Sequence, residues 1–270
     1  MRFALILGVA CLAQLTHAVG QSQFTLQSEQ EVSASKLVVD ELGAIYLITS
    51  TAIERRNAFG GGSFRSSEMQ WGEFHPIDVT DPLRPFVHFP ASGKVVFFDN
   101  TLSMQGSPID LFELDMDNIE CMCGSRGDGF WLWDARNSEL TRVDRSFRKL
   151  SSSGNLSMLL QRELHPLSMM ERGAHLFVLT QEYSLLVFDV FGAWEKTLQL
   201  IPGSQCIADA STLYVFGANG ILQATDTQTW LTEVIEMPVM EGRFSYQGGV
   251  LYNLSSGRLS MYKHVQNARN

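Results

Sequence analysis

Short apolar runs alternate with polar breaks along almost the whole chain. The runs are rich in Val, Ile, Leu, Phe, Tyr and Trp, and Gly, Asn, Asp and Ser separate them. That is the pattern of strands joined by tight turns. Helical spacing is scarce. Two short candidates lie around Ile109–Leu114 and Leu156–Leu164, neither long enough to form a helical layer.

Six segments share one layout: an apolar strand, a polar turn and a less apolar strand. They are "IYLITSTAIERRN" from Ile45, "VFFDNTLSMQG" from Val96, "WLWDARNSELTRVD" from Trp131, "LFVLTQEYSLLVFD" from Leu176, "LYVFGANGILQATD" from Leu213 and "LYNLSSGRLSMYKH" from Leu251. Their starts lie 51, 35, 45, 37 and 38 residues apart. A strand-built repeat of about forty residues is the period of a β-propeller blade. The sequence therefore predicts an all-β propeller of six four-stranded blades, with these hairpins as the middle strands of each blade. The last repeat supplies only about three strands before the chain ends. The early stretch "SQFTLQSE" is expected to add the fourth and close the ring, since an open end would leave an unpaired edge.

Two stretches depart from the period. Residues 57–85, rich in Gly, Ser and Pro, read as a long insertion between repeats one and two, and residues 151–169 as a shorter one. Long loops of this kind are usually functional or disordered.

The first residues, "MRFALILGVACLAQLTHAVGQSQF", combine Arg2, an apolar run from Phe3 to Leu15 and a small residue at Ala18. This is the layout of a secretory signal over 1–18, too short for a membrane span. A single propeller domain over 19–270 follows, exported to the periplasm or beyond. A lipid anchor on Cys11 is the lesser reading, because Gly8-Val9-Ala10 is a poor lipobox. The net charge is −9, and loss of Arg2 with the signal leaves −10. Such a chain has no general attraction for nucleic acid. No later apolar stretch is long enough to span a bilayer.

Outside the signal three cysteines remain, Cys121, Cys123 and Cys206. An odd number cannot pair completely. Export would permit a disulfide from Cys121 or Cys123 to Cys206, while buried apolar filling is the plainer role for these thiols. All of the motifs in "CMCGSRGDGFWLWD" at 121–134 fit architecture better than chemistry. Cys121 and Cys123 would end one strand, and the Arg126-Gly127-Asp128 tripeptide would sit in a turn. Trp131 and Trp133 would then pack between blades as the next blade begins.

Asp40, Asp99, Asp134, Asp144, Asp189 and Asp226 recur near strand ends. They are expected to cap turn amides. The alternative is a ring of carboxylates around the channel that holds a cation. The chain has no Gly-x-Ser-x-Gly elbow, P-loop or His-Glu-x-x-His. No cofactor or metal site is expected. The best candidate contact residues are His75, with Asp78 and Asp81 nearby, and Trp71, all in the 57–85 stretch.

The stretches "DVTDPLRPF" at 78–86, "VFFDNTLS" at 96–103, "GFWLWD" at 129–134 and "LLVFDVFGAW" at 185–194 resemble a group of exported propellers from Bacteroidetes-type bacteria. In architecture the six hairpins resemble NHL-like and other six-bladed propellers. The resemblance implies a cell-envelope or secreted propeller and brings no catalytic residues with it. The functional expectation is a binding or scaffold module with a protein partner in the envelope. The alternatives are a glycan-directed lyase or hydrolase with a central-channel site, and a structural subunit of an envelope complex.

Overall fold

The structure is a computed structural model that describes residues 24–265 apart from 58, 59, 68, 126 and 240. The expected leader over 1–18, Cys11 with it, lies outside the described residues. Six antiparallel sheets follow one another along the chain and stand radially as the blades of a β-propeller.

Blade one is built from Lys36–Val39, Ala44–Ile48, Ile53–Asn57 and Ser63–Ser66, innermost to outermost. Blade three takes Ile119–Ser125, Gly129–Asp134, Glu139–Asp144 and Lys149–Asn155. Blade four takes Pro166–Arg172, His175–Thr180, Ser184–Asp189 and Trp194–Gln199, and blade five Gln205–Ala208, Thr212–Phe216, Ile221–Asp226 and Thr232–Glu236. In blade six the order is Arg243–Gln247, Val250–Ser255, Arg258–His264 and then Phe24–Glu31. The expected closing strand is thus present. It pairs antiparallel with the third strand of the last blade, from Phe24 opposite His264 to Glu31 opposite Arg258, with one irregularity between Leu26 and Ser28.

Blade two corrects the sequence reading. Its regular strands are Phe86–Phe89, Lys94–Phe97 and Ile109–Asp110. The innermost strand is the segment 75–80, held by a bridge of Asp78 with Phe86 and by the His75 amide on the His88 carbonyl. Val96 therefore belongs to the third strand and not the second. The second strands start at Ala44, Phe86, Gly129, His175, Thr212 and Val250, and the spacing of 51 and 35 residues becomes 42 and 43. The expected insertion at 57–85 holds the outermost strand of blade one, Ser63–Ser66, and the innermost segment of blade two, 75–80, and the other described residues between them are turn and loop. Likewise 151–169 holds the end of a strand, a short helix over Leu156–Leu160 and the start of the next blade. A 3-10 turn over Phe112–Leu114 is all that forms of the other predicted helix.

The stretch at 121–134 is also corrected. Ile119–Ser125 and Gly129–Asp134 are neighbouring strands of blade three, register Cys123 to Trp131, and not the end of one blade and the start of the next.

The core consists of six apolar clusters, one at each junction between blades. Each second strand feeds two of them, because alternate side chains point to opposite faces. In blade three, Phe130 and Leu132 face blade two while Trp131 and Trp133 face blade four. In blade one, Ile45 and Leu47 face blade six while Tyr46 and Ile48 face blade two. Burial on both faces explains why the first strand of each repeat reads as nearly continuous apolar sequence, whereas the third strands of blades one, three and five, nearer the rim, mix polar and apolar positions.

The aspartates act as turn caps. Asp99, Asp144, Asp189 and Asp226 end third strands, and each carboxylate accepts two backbone amides of its own turn at 2.7–3.0 Å. Asp40 and Asp209 do the same after innermost strands and also accept the Tyr46 and Tyr214 hydroxyls. Asp134 caps the next turn of blade three through the Asn137 amide. These positions lie at turns at both ends of the ring and do not converge on one point, and no group of three or more His, Cys, Asp or Glu forms a cation site among the described residues.

The closing strand anchors through Phe24, buried in the cluster between blades five and six and stacked on His264 at 4.9 Å. Phe24→Ala should cost about 3 kcal/mol and lower the melting temperature by roughly 6–12 °C. A thermal melt followed by circular dichroism checks it. An unchanged melt would mean that the ring holds without this strand.

Candidate functional site

In an antiparallel meander, turns fall alternately at the two ends of the sheet. The turns from innermost to second strand and from third to outermost strand lie at one end of the ring, here called the lower end. The remaining turns and the links between blades lie at the upper end.

The main cavity, about 430 Å³, opens at the lower mouth of the channel. Its walls come from the innermost strands and first turns of blades one, two, four, five and six. Leu37, Val39, Val79, Ile207 and Phe244 make an apolar lining, and Glu41, Glu171, Arg172 and Asp209 carry the charge.

Blade three is absent from the lining, and Gly124 explains this. A Cβ at Gly124 would sit 2.9 Å from Thr80 Cβ and 3.3 Å from Asp78 Oδ1. The missing side chain lets the innermost strand of blade two lie across blade three. The Gly124 amide donates to Asp78 Oδ2 at 3.0 Å, and Thr80 reaches Arg172 of blade four, whose Nη1 donates to its hydroxyl at 2.9 Å. This contact links residues 92 apart in sequence and walls off one side of the mouth.

Glu171 is buried behind the lining. It accepts Ser125 Oγ at 2.8 Å and the Trp131 indole N–H, and Arg142 Nε donates to the same Ser125 hydroxyl at 3.1 Å. A buried carboxylate requires such donors. Here it clamps blade four to blade three. Asp209 at the rim is similarly engaged by two amides and the Tyr214 hydroxyl. Burial is the main cause that pushes the Tyr214 phenol up, followed by the Asp209 charge.

The sequence-predicted residues separate. Asp78 and Asp81 lie at the lower end, in a cleft of about 270 Å³ between blades two and three that also takes in Thr80, Arg84, Asp128 and Arg145. Asp78 caps the Thr80 and Gly124 amides, and Asp81 caps the Leu83 amide. Asp128 forms an ion pair with Arg145, and Arg126 is outside the described residues. His75 lines a separate hollow at the upper mouth, beside Lys36, Glu73 and Pro90. Trp71 packs edge-on against Phe89 at 5.5 Å and joins the core between blades one and two. The segment thus brings Asp78 and Asp81 together and sends His75 to the other mouth.

Cys121 and Cys123 face the blade three–four core beside Trp131 and Trp133. Burial pushes the Cys121 thiol up to about 12 and Cys123 well above its ordinary value. Cys206 lies two blades away from them, and all three thiols are free, so the disulfide to Cys206 allowed by the sequence is not made.

Sequence reading missed Arg172, Glu171 and Thr80. The only available signal was the pair Glu171-Arg172 closing an otherwise apolar inner strand.

No family model matches the chain, and no curated protein does. Solved structures do. The ring is similar to the WD40 domain of Pan2 from Neurospora crassa, with TM-score 0.58, 10% identity and coverage of 93% of this chain and 98% of that one. It is also similar to virginiamycin B lyase from Staphylococcus aureus, with TM-score 0.55, 8% identity and coverage of 89% and 99%. A third is BamB from Moraxella catarrhalis, with TM-score 0.51, 9% identity and coverage of 92% and 99%. The chain is a β-propeller. At these identities the likeness is one of fold alone.

Two measurements test this geometry. Gly124→Ala forces Thr80 off blade three and should cost about 1–3 kcal/mol, read by urea denaturation. An unchanged midpoint would mean that the close approach is not required. The second concerns His88, which stacks against His75 at 5.9 Å and has both ring nitrogens buried without partners among the described residues. Burial, then the neighbouring His75, pushes its pKa down to about 3. The folded state therefore binds fewer protons than the unfolded chain, and stability is lost as pH falls below about 6.5. His88→Leu removes this loss. Its stability relative to the parent should rise by up to about 1.4 kcal/mol per pH unit between pH 6.5 and 5. A pH-independent difference would contradict the assignment.

Proposed function

We propose that this propeller is an exported recognition module of the cell envelope that holds a protein partner at its lower face. The observation that carries the reading is the lower mouth. It is a cavity of about 430 Å³ with apolar walls, in the size range of sites that bind a ligand or a protruding segment. Of the carboxylates around it, Glu171 and Asp209 already serve the protein's own donors, and Glu41 stands exposed on the outer rim. A surface that recognises needs such a fixed arrangement, whereas acid–base chemistry needs a group free to move a proton. Leu42 and Leu83, exposed on the first turns of blades one and two, add apolar contact beside the mouth. The propeller neighbours include BamB and a WD40 domain, which fits a scaffold role.

Export rests on the leader layout at 1–18, and the envelope setting on the resemblance of the quoted stretches to exported propellers of Bacteroidetes-type bacteria.

Two experiments test the proposal. The protein isolated from its native host should begin at Val19, as read by amino-terminal sequencing, and an intact Met1 would refute export. Mild crosslinking in the envelope should retain a partner in stoichiometric amount. Leu83→Asp at the lower face should abolish that retention, and Leu159→Asp at the upper end should leave it unchanged. Equal retention by both variants would overturn the lower-face assignment.

A further inference from the structure

We propose that the lower mouth is a receptor for the free carboxyl end of a peptide chain carrying a basic residue close to that end. This rests on the recognition reading for the same mouth and names what it recognises.

The Arg172 guanidinium ends the innermost strand of blade four and lines the cavity. Its Nη1 donates to Thr80 Oγ1 at 2.9 Å and to the Glu171 carbonyl at 2.8 Å, which fixes the plane of the fork. Among the described residues it has no ion pair with a carboxylate, and its Nε and Nη2 donors have no protein acceptor. The chain carries 29 Asp and Glu against 20 Lys and Arg. A half-buried arginine without a counter-ion in so acidic a protein leaves a planar, two-pronged donor available. Such a fork matches a carboxylate or a phosphate.

The rim chooses between these. Glu41 and Asp209 stand on the first turns of blades one and five, around the same cavity. Glu41 is exposed, and its carboxylate has no partner among the described residues. Two rim carboxylates repel a group with two or more negative charges, which disfavours phosphate. They attract a cation placed beside a single carboxylate. The remaining wall, Leu37, Val39 and Ile207, suits an alkyl side chain. A carboxyl end, a basic side chain and an apolar neighbour are what the last residues of a basic peptide present together.

The test uses the full chain, immobilised, and two equimolar pools of random tetrapeptides. One pool has free carboxyl ends and the other carries carboxyl-terminal amides with an isotopic label. Retained species are counted by mass spectrometry. The free-acid pool should be retained at least about tenfold over the amides, the size expected of charge-assisted hydrogen bonds. Lys- and Arg-containing members should be enriched. Arg172→Gln should bring the ratio to about one, and Glu41→Gln should remove the basic enrichment while keeping the acid preference. If Arg172→Gln melts early, Arg172→Lys replaces it, keeping the charge and losing the fork, and should cut the ratio at least about threefold. Equal retention of the pools, retention of neither, or a preference that survives the arginine variants overturns the proposal. A partner crosslinked at the lower face while no peptide is retained leaves the recognition module standing and removes this inference alone.

Discussion

Everything in this fold depends on burying the second strand of each blade on both faces at once. A single four-stranded sheet can cover one face of Phe130-Trp131-Leu132-Trp133 at most. Only when two neighbours stand against it do Phe130 and Leu132 meet Phe86 and Phe97 on one side, and Trp131 and Trp133 meet Leu176 and Val178 on the other. Apolar burial contributes roughly 25 cal/mol per Å², and here it is gained junction by junction. The six clusters form a closed circuit in which no blade has a free apolar face. That is why the first residues of the described chain must return to the last blade, and why the closing strand carries one buried aromatic, Phe24, on an otherwise exposed stretch.

The same constraint decides what could be read from sequence. The doubly buried strands of blades one, three, four, five and six stand out as apolar runs, and the aspartates mark where third strands end. Both signals survive because they are local. In blade two the second and third strands, Phe86–Phe89 and Lys94–Phe97, are both apolar, so composition alone lets the third pass for the second. Asp99 could have decided the register, since it follows the third strand as Asp144 and Asp189 do. The innermost strand of that blade is held by one bridge and contains Pro76, so it resembles loop in composition.

The site was less legible than the fold, for a related reason. Thr80, Gly124, Glu171 and Arg172 come from three blades, and their relation exists only once the ring has closed. Gly124 reads in sequence as part of a turn. In the structure it is a strand residue whose missing side chain admits the neighbouring blade. The notable letters nearby, two cysteines and a Gly-Asp turn, belong to packing and to an ion pair with Arg145. His75 and Asp78, three residues apart, face opposite ends of the ring because an extended chain spans about 3.3 Å per residue.

Phe24 lies opposite His264 at the lower end of blade six, so the strands that begin and complete the circuit have their free ends side by side. Tension applied to those two ends meets the hydrogen bonds of the pair one after another, beginning at Phe24, in the manner of a zipper. Tension applied between blades instead meets the apolar clusters at the junctions, whose many contacts share the load at once. The ring is therefore mechanically anisotropic: stiff against loads borne by its rim, and readily peeled open by a pull on its own ends.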